Sequence, residues 1–202
     1  MISLYILTDP KHDSVHTLFA LEKAFKAAPG RIGMIIRHND SSLAMEAASL
    51  AVEHNAPCFV AAMPNGRTKG DYVHVGALRE DDIVPGGAYT ASAHDLAQAL
   101  RAKTAQALLV GPLFDDPKKP PARATQLVTE VRKALPKISI YALGGVGLQQ
   151  IDACVRAGAD GIAVTRAVMK ADEPGKVVDE LVREIDRARF ALRNRSRLPT
   201  MQ

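Results

Sequence analysis

Four residues toward the C-terminal end of the chain, Gly144, Gly145, Thr165 and Arg166, have the types and spacing of an anion site. Gly144-Gly145 ends an apolar run, Ile138–Leu143, and paired glycines leave backbone N–H groups bare. Thr165-Arg166 ends a second run, Gly161–Val164, and opens a helix-like stretch, whose N-terminus carries partial positive charge. Bare amides and a helix start together make a phosphate cradle. A second pair, Ser92 and His94, lies two residues apart at the end of another apolar run, so both side chains can face one side of a strand. Histidine is the natural proton carrier near neutral pH. It can equally cap the helix-like stretch that begins at Asp95.

These residues need a frame that brings distant strand ends together. Strand signals recur at Ser3–Thr8, Arg31–Arg37, Pro57–Ala62, Tyr72–Gly76, Gly87–Ala93, Ala107–Leu113, Ile138–Leu143 and Gly161–Val164. Each is short, apolar or β-branched, and bounded by Gly, Pro, Asp or Asn. Amphipathic helical stretches separate most of them: Val15–Ala28, Ser41–Asn55, Asp95–Lys103, Ala122–Leu135, Leu148–Ala157 and Gly175–Leu192. Pro136 and Gly158 stand where helix stops belong. The connections Met63–Lys69 and Ala77–Gly86 are too short or too polar for full helices. Alternating β and α elements imply a parallel sheet, and eight strands in 202 residues favour a closed (β/α)8 TIM barrel over an open sheet. The expectation is one α/β domain over residues 1–202, ending in a basic helix and tail at about 186–202. In such barrels the chemistry sits at the C-terminal strand ends, and the loops after strands seven and eight often hold phosphate. Gly144-Gly145 and Thr165-Arg166 occupy those two loops.

Composition narrows the function class. Apolar residues make up 47% of the chain, enough for a core, yet no uncharged apolar run approaches the roughly 18 residues of a membrane helix. The opening MISLYILTDP enters a strand without a basic leader. Cys58 and Cys154 are too few and too far apart for a disulfide framework or a metal knuckle, so a reduced, cytoplasmic setting is expected. The net charge of +4 owes much to Arg187, Arg189, Arg193, Arg195 and Arg197. Nucleic-acid binding would want interleaved aromatics, and only Phe190 is there. A solvated face of a closing helix is the better reading. The expected partner is a small phosphorylated molecule, with no nucleic acid and no membrane, and an assembly of identical chains stays open.

The strand-end motifs carry a resemblance. LYILTDP (4–10), DYVHVG (71–76), SAH (92–94), GPLFDDPKK (111–119), ALGGV (142–146) and GADGIAV (158–164) resemble, in order, those of thiamin phosphate synthase and of its homologue, the thiazole tautomerase TenI. The similarity runs from about residue 4 to 170. It implies a barrel in thiamin biosynthesis that binds a thiazole phosphate on the backbone donors of Gly144-Gly145 and Thr165-Arg166. The family usually has a small Ser where this chain has Arg166, which either forks onto the phosphate or fills the pocket.

Departures from the synthase pattern cluster at the other end of the site. The synthase grips its pyrimidine diphosphate with a pattern like Gln-Leu-Arg-x-Lys after strand two; here the stretch is Ile35-Ile36-Arg37-His38-Asn39, which keeps only the arginine. Its two magnesium-holding Asp positions fall on Ala61-Ala62-Met63 and on Arg79. Glu80, Asp81 and Asp82 would substitute only if the loop register shifted. Lys119 matches a diphosphate-contacting lysine, yet Asp116 replaces a Thr beside it. Arg37 and Lys119 are therefore candidate contacts to a second substrate, and no metal is expected. No cofactor is expected either, with magnesium needed only if the chain is a synthase.

In the tautomerase branch, the histidine matching His94 is thought to move the proton that aromatises a thiazole carboxylate phosphate, a reaction needing no metal. Three readings stand. The favoured one is an isomerase with His94 as acid/base beside Ser92, and Gly144, Gly145, Thr165 and Arg166 on the phosphate. The others are a thiamin phosphate synthase with a remodelled metal site, and a non-catalytic barrel that binds thiazole or pyrimidine phosphates. His38 and His74 are the rival proton carriers.

Overall fold

The computed structural model describes residues 1–62, 72–114 and 124–195. Eight parallel strands close into a barrel in chain order: β1 (Leu4–Leu7), β2 (Ile32–Ile36), β3 (Cys58–Ala61), β4 (Val73–Val75), β5 (Tyr89–Ala93), β6 (Ala107–Val110), β7 (Ser139–Leu143) and β8 (Gly161–Val164). β8 pairs back onto β1 through Leu4↔Ile162 and Ile6↔Val164. The helices are α1 (Ser14–Ala27), α2 (Ser41–Glu53), α3 (Leu96–Arg101), α4 (Gln126–Ala134), α5 (Leu148–Ala157), α6 (Arg166–Met169) and α7 (Pro174–Arg195). This is a (β/α)8 barrel, with no helix in the β4–β5 connection over residues 76–88.

Alternation along the strands sorts side chains into two layers. Leu4, Ile6, Met34, Ile36, Leu108 and Val110 face outward under the helices. Tyr5, Leu7, Ile35, Phe59, Leu109, Tyr141 and Ala163 fill the interior. Tyr5 stands edge-on to Tyr141, with ring centroids 4.6 Å apart. Gly33 makes room for that ring, since a Cβ there would lie 2.5 Å from Tyr5 Cε1. The cleft lined by the strand ends lies above this filled interior.

Three aspartates set the helix starts below that rim. Asp13 accepts from His16 N–H (2.8 Å), Asp40 from Ser42 N–H (2.8 Å) and Asp95 from Gln98 N–H (2.8 Å). Strand ends are shorter than the sequence suggests where chemistry intervenes: β6 stops at Val110 because Gly111-Pro112 turns the chain and proline has no N–H to donate. α7 opens at Pro174, where a missing N–H costs nothing.

Residues 187–195, within the stretch expected as a basic helix and tail, continue this helix, and Arg187 and Arg189 are both engaged. Arg187 pairs with Glu184 (2.5 Å), while Arg189 turns under the barrel floor to Ser3 Oγ (2.9 Å) and the Asp160 carbonyl. No described helix is long and apolar enough to cross a membrane.

Candidate active site

A cleft of about 570 Å3 opens at the C-terminal strand ends. Gly144, Gly145, Thr165, Arg166, Arg37 and His94 all line it, together with Asp9. With Pro112 from the end of β6, six strand ends of the barrel contribute to one space, as the barrel architecture requires of a site.

The phosphate-cradle residues meet there. Gly144 and Gly145 both hold positive φ (91° and 64°), which turns the chain sharply between β7 and α5. Gly144 is also wedged against β6's exit: a Cβ would lie 2.6 Å from Pro112 Cα. Its carbonyl accepts Phe114 N–H at 3.0 Å, which fixes the turn. Gln150 closes the other side by accepting Gly147 N–H at 3.1 Å, while its own N–H donates to Gly147 O at 3.0 Å. The N–H groups of Gly145 and Val146 have no acceptor among the described residues. Across the cleft Thr165 precedes α6 without capping it through its side chain, and Arg166 and Ala167 line the same space. Arginine in place of a small residue has not closed the cleft.

The two catalytic candidates separate. β5 ends at Ala93, so His94 leaves the pleat. Its N–H donates to Gln98 Oε1 (2.7 Å) and its ring turns into the cleft mouth, where Nδ1 contacts the Gly111 carbonyl. A carbonyl only accepts, so Nδ1 carries the proton and Nε2 is the basic nitrogen. Nε2 has no hydrogen-bond partner among the described residues. Helix capping is the task of Asp95, not His94.

Ser92, expected beside His94, lies two residues back within β5 and contacts His74 instead: His74 Nε2 is 3.2 Å from Ser92 Oγ and Nδ1 is 2.9 Å from Thr90 Oγ1. Burial, aided by the charge of Arg37, pushes the His74 pKa down to about 4. A neutral, doubly hydrogen-bonded imidazole is a structural element, and Ser92 belongs to it.

His38 is likewise committed. Thr8 Oγ1 lies 2.9 Å from its Nδ1, and its Nε2 lies 3.1 Å from the His12 carbonyl. Arg37 donates through Nε to the Thr8 carbonyl (2.6 Å), and its Nη nitrogens have no hydrogen-bond partner among the described residues. Asp9 accepts Lys11 N–H at 3.2 Å; that bond, with Arg37 and other nearby cations, holds its carboxyl below the usual range. Burial lowers the Arg37 pKa, partly offset by Asp9. Arg37 thus brings unengaged guanidinium N–H donors to the cleft lining from the end of β2. Lys119 lies outside the described residues.

The magnesium that the synthase resemblance implies does not fit the described donors. Ala61 and Ala62 supply no side-chain oxygen, and Arg79 sits in a turn with its N–H on Asp82 Oδ2 at 2.6 Å. Among the described residues no three His, Cys, Asp or Glu side chains gather as a metal site. A hard dication wants about six oxygens with carboxylates among them, and among the described residues Asp9 is the one carboxylate lining the cleft.

Sequence reasoning missed Thr8 and Gln150, whose partners are thirty and three residues away; neither residue type announces a clamp.

Known proteins place the chain. The family model described as thiamine monophosphate synthase matches residues 4–168. A thiamine-phosphate synthase from Bacillus velezensis is 26% identical over 215 residues, covering 95% of this chain and 94% of its own. One from Thermus thermophilus is 32% identical over 146 residues, covering 66% and 69%. Among solved structures, a thiamine phosphate pyrophosphorylase from Pyrococcus furiosus superposes with a TM-score of 0.71 at 23% identity over 93% of this chain and 96% of its own, a likeness of fold. The family match begins in β1 and runs into α6, taking in every strand of the barrel, and the chain belongs to the thiamine monophosphate synthase family.

Proposed function

We propose that this barrel is a thiamin-biosynthesis enzyme that anchors a thiazole phosphate at the β7 and β8 loops and moves a proton on its ring, as the thiazole tautomerase branch does. One observation carries this reading: His94 presents Nε2 to the cleft that the glycine turn lines, with Nδ1 committed to the Gly111 carbonyl. The phosphate would sit on the N–H groups of Gly145 and Val146, with Arg166 beside it. A carboxylate on the ring would meet the Arg37 fork, whose planar geometry suits it. Nε2 takes the proton from the ring carbon bearing the carboxylate, and the imidazolium returns one to the exocyclic carbon. Composition and oxidation level are unchanged, and the ring becomes aromatic. Nothing in this sequence needs a metal.

A second reading is a thiamin phosphate synthase, and it is favoured by the names of the relatives, which are synthases. Purified protein is given the carboxylated thiazole tautomer with chelator present, and separately thiazole phosphate plus pyrimidine diphosphate with magnesium. Aromatisation in chelator, lost in His94→Gln, supports the proton-transfer reading. Magnesium-dependent pyrophosphate release without aromatisation overturns it in favour of the synthase.

A further inference from the structure

We infer that His38 is a positioning residue: acting through Thr8, it fixes the direction in which Arg37 presents its guanidinium to the cleft. The hydrogen bonds form one chain with a single allowed polarity. The His12 carbonyl only accepts, so His38 Nε2–H donates to it at 3.1 Å, and in the neutral imidazole Nδ1 is the acceptor. The Thr8 hydroxyl donates to that Nδ1 at 2.9 Å. Its oxygen in turn accepts Arg37 N–H at 2.9 Å. With the opposite tautomer Nε2 would face a carbonyl with no proton, and the Thr8 hydroxyl would lose its acceptor.

Both anchors of this chain are rigid. Thr8 is fully buried, and its N–H extends the β1–β2 ladder to Ile35 O at 3.0 Å. His12 lies in the β1–α1 turn, where its ring stacks on His16 at 4.3 Å. His16 in turn reaches the Met169 carbonyl at the end of α6 with Nε2 at 2.6 Å. With Thr8 held, its carbonyl meets Arg37 Nε at 2.6 Å and leaves the two Nη groups toward the cleft. A guanidinium on a flexible stem would otherwise sample many rotamers before meeting a ligand. The β1–α1 turn thus holds the Arg37 side of the cleft through His38 and the α6 side through His16.

That the anion met by Arg37 is a ring carboxylate rests on the proposed function; the clamp itself does not. Two conservative variants separate its halves. His38→Asn keeps an acceptor where Nδ1 stood and loses the donor; His38→Gln keeps a donor near Nε2 and loses the acceptor. The ligand-free readout is hydrogen exchange of the Arg37 Nε–H in 15N-labelled full-length protein. We expect slow exchange in wild type and His38→Asn, and fast exchange in His38→Gln with an unchanged amide spectrum elsewhere in the barrel. Slow exchange in His38→Gln overturns the inference, as does equal loss in both variants. The binding readout compares thiazole phosphate with its carboxylated form. His38→Gln should weaken the carboxylated ligand roughly tenfold and leave the other unchanged. Equal weakening of both overturns the orienting role. If wild type binds neither ligand, the proposed function falls, while the exchange measurement still decides the clamp.

Discussion

His94 and Gly111 face each other across the ends of β5 and β6, imidazole N–H to carbonyl. That contact sets the tautomer of the one cleft histidine with a nitrogen left for chemistry. Among the described histidines of the upper barrel, His74 and His38 have both ring nitrogens engaged. The expected result for His94→Gln is a loss of aromatisation rate of about 10²–10⁴-fold, with thiazole phosphate affinity within a few-fold of wild type. Stopped-flow ultraviolet absorbance and calorimetric titration measure the two. A variant that keeps wild-type rate would shift the acid/base role away from β5.

Gly144 should be the less replaceable of the two turn glycines. Alanine there meets both a φ of 91° and the Pro112 Cα at 2.6 Å, whereas Gly145 holds a φ of 64°, inside the left-handed region that other residues can reach. Gly144→Ala is expected to lose roughly 2 kcal/mol or more, and Gly145→Ala about 1 kcal/mol. Both should weaken phosphate binding, because the turn aims the amides. Thermal melts and phosphate titration of the two variants test the ranking.

Much of this was readable from the chain, for reasons that differ by element. β8 and α5 fall where the sequence puts them because Gly158 and Gly161 punctuate both sides. That the Gly144-Gly145 and Thr165-Arg166 loops share one cleft was legible because glycine pairs and a strand-to-helix junction are local signals. The Ser92–His94 pair was misjudged on a local rule: the two-residue repeat holds only while the strand lasts, and β5 stops at Ala93. The Thr8–His38 clamp joins residues thirty apart in sequence through a single ladder register, β1 on β2, which no spacing rule reports.

His74 should make the fold sensitive to mild acid. Its ordinary pKa of 6.5 applies to the unfolded chain, and the folded value is about 4. Below about pH 6.5 the unfolded state therefore binds a proton that the folded state refuses. Stability contributed by the neutral imidazole is complete above that pH and falls away toward pH 4, by up to about 3 kcal/mol. Denaturant titrations at pH 7, 6 and 5 should show wild type weakening relative to His74→Gln, which cannot titrate. A constant difference between the two across that range would show that His74 is not held neutral.

Arg132 offers the opposite contrast, a residue central to the fold and remote from the chemistry. From α4 its Nε donates to the Gly158 carbonyl (2.9 Å), and Nη1 donates to the carbonyls of Pro136 (3.0 Å) and Ile138 (2.8 Å). Nη2 pairs with Asp160 (2.6 Å), whose same carboxylate oxygen accepts Ile140 N–H at 2.9 Å. One guanidinium thus ties α4, the start of β7 and the α5–β8 turn at the floor of the barrel. A Cβ at Gly158 would fall 2.7 Å from the Arg132 Cγ, so this glycine serves the clamp as well as the turn. The Gly-Ala-Asp-Gly stretch at 158–161 is accordingly structural in this chain. Arg132→Met should lose roughly 2–4 kcal/mol, since several backbone acceptors and a carboxylate lose their partner together. Arg132→Lys should recover little of it, because an ammonium cannot serve that fork. At temperatures where either variant is folded, ligand affinity and turnover should match wild type. Turnover that falls while the melt is unchanged would place Arg132 in the functional machinery and undo the assignment.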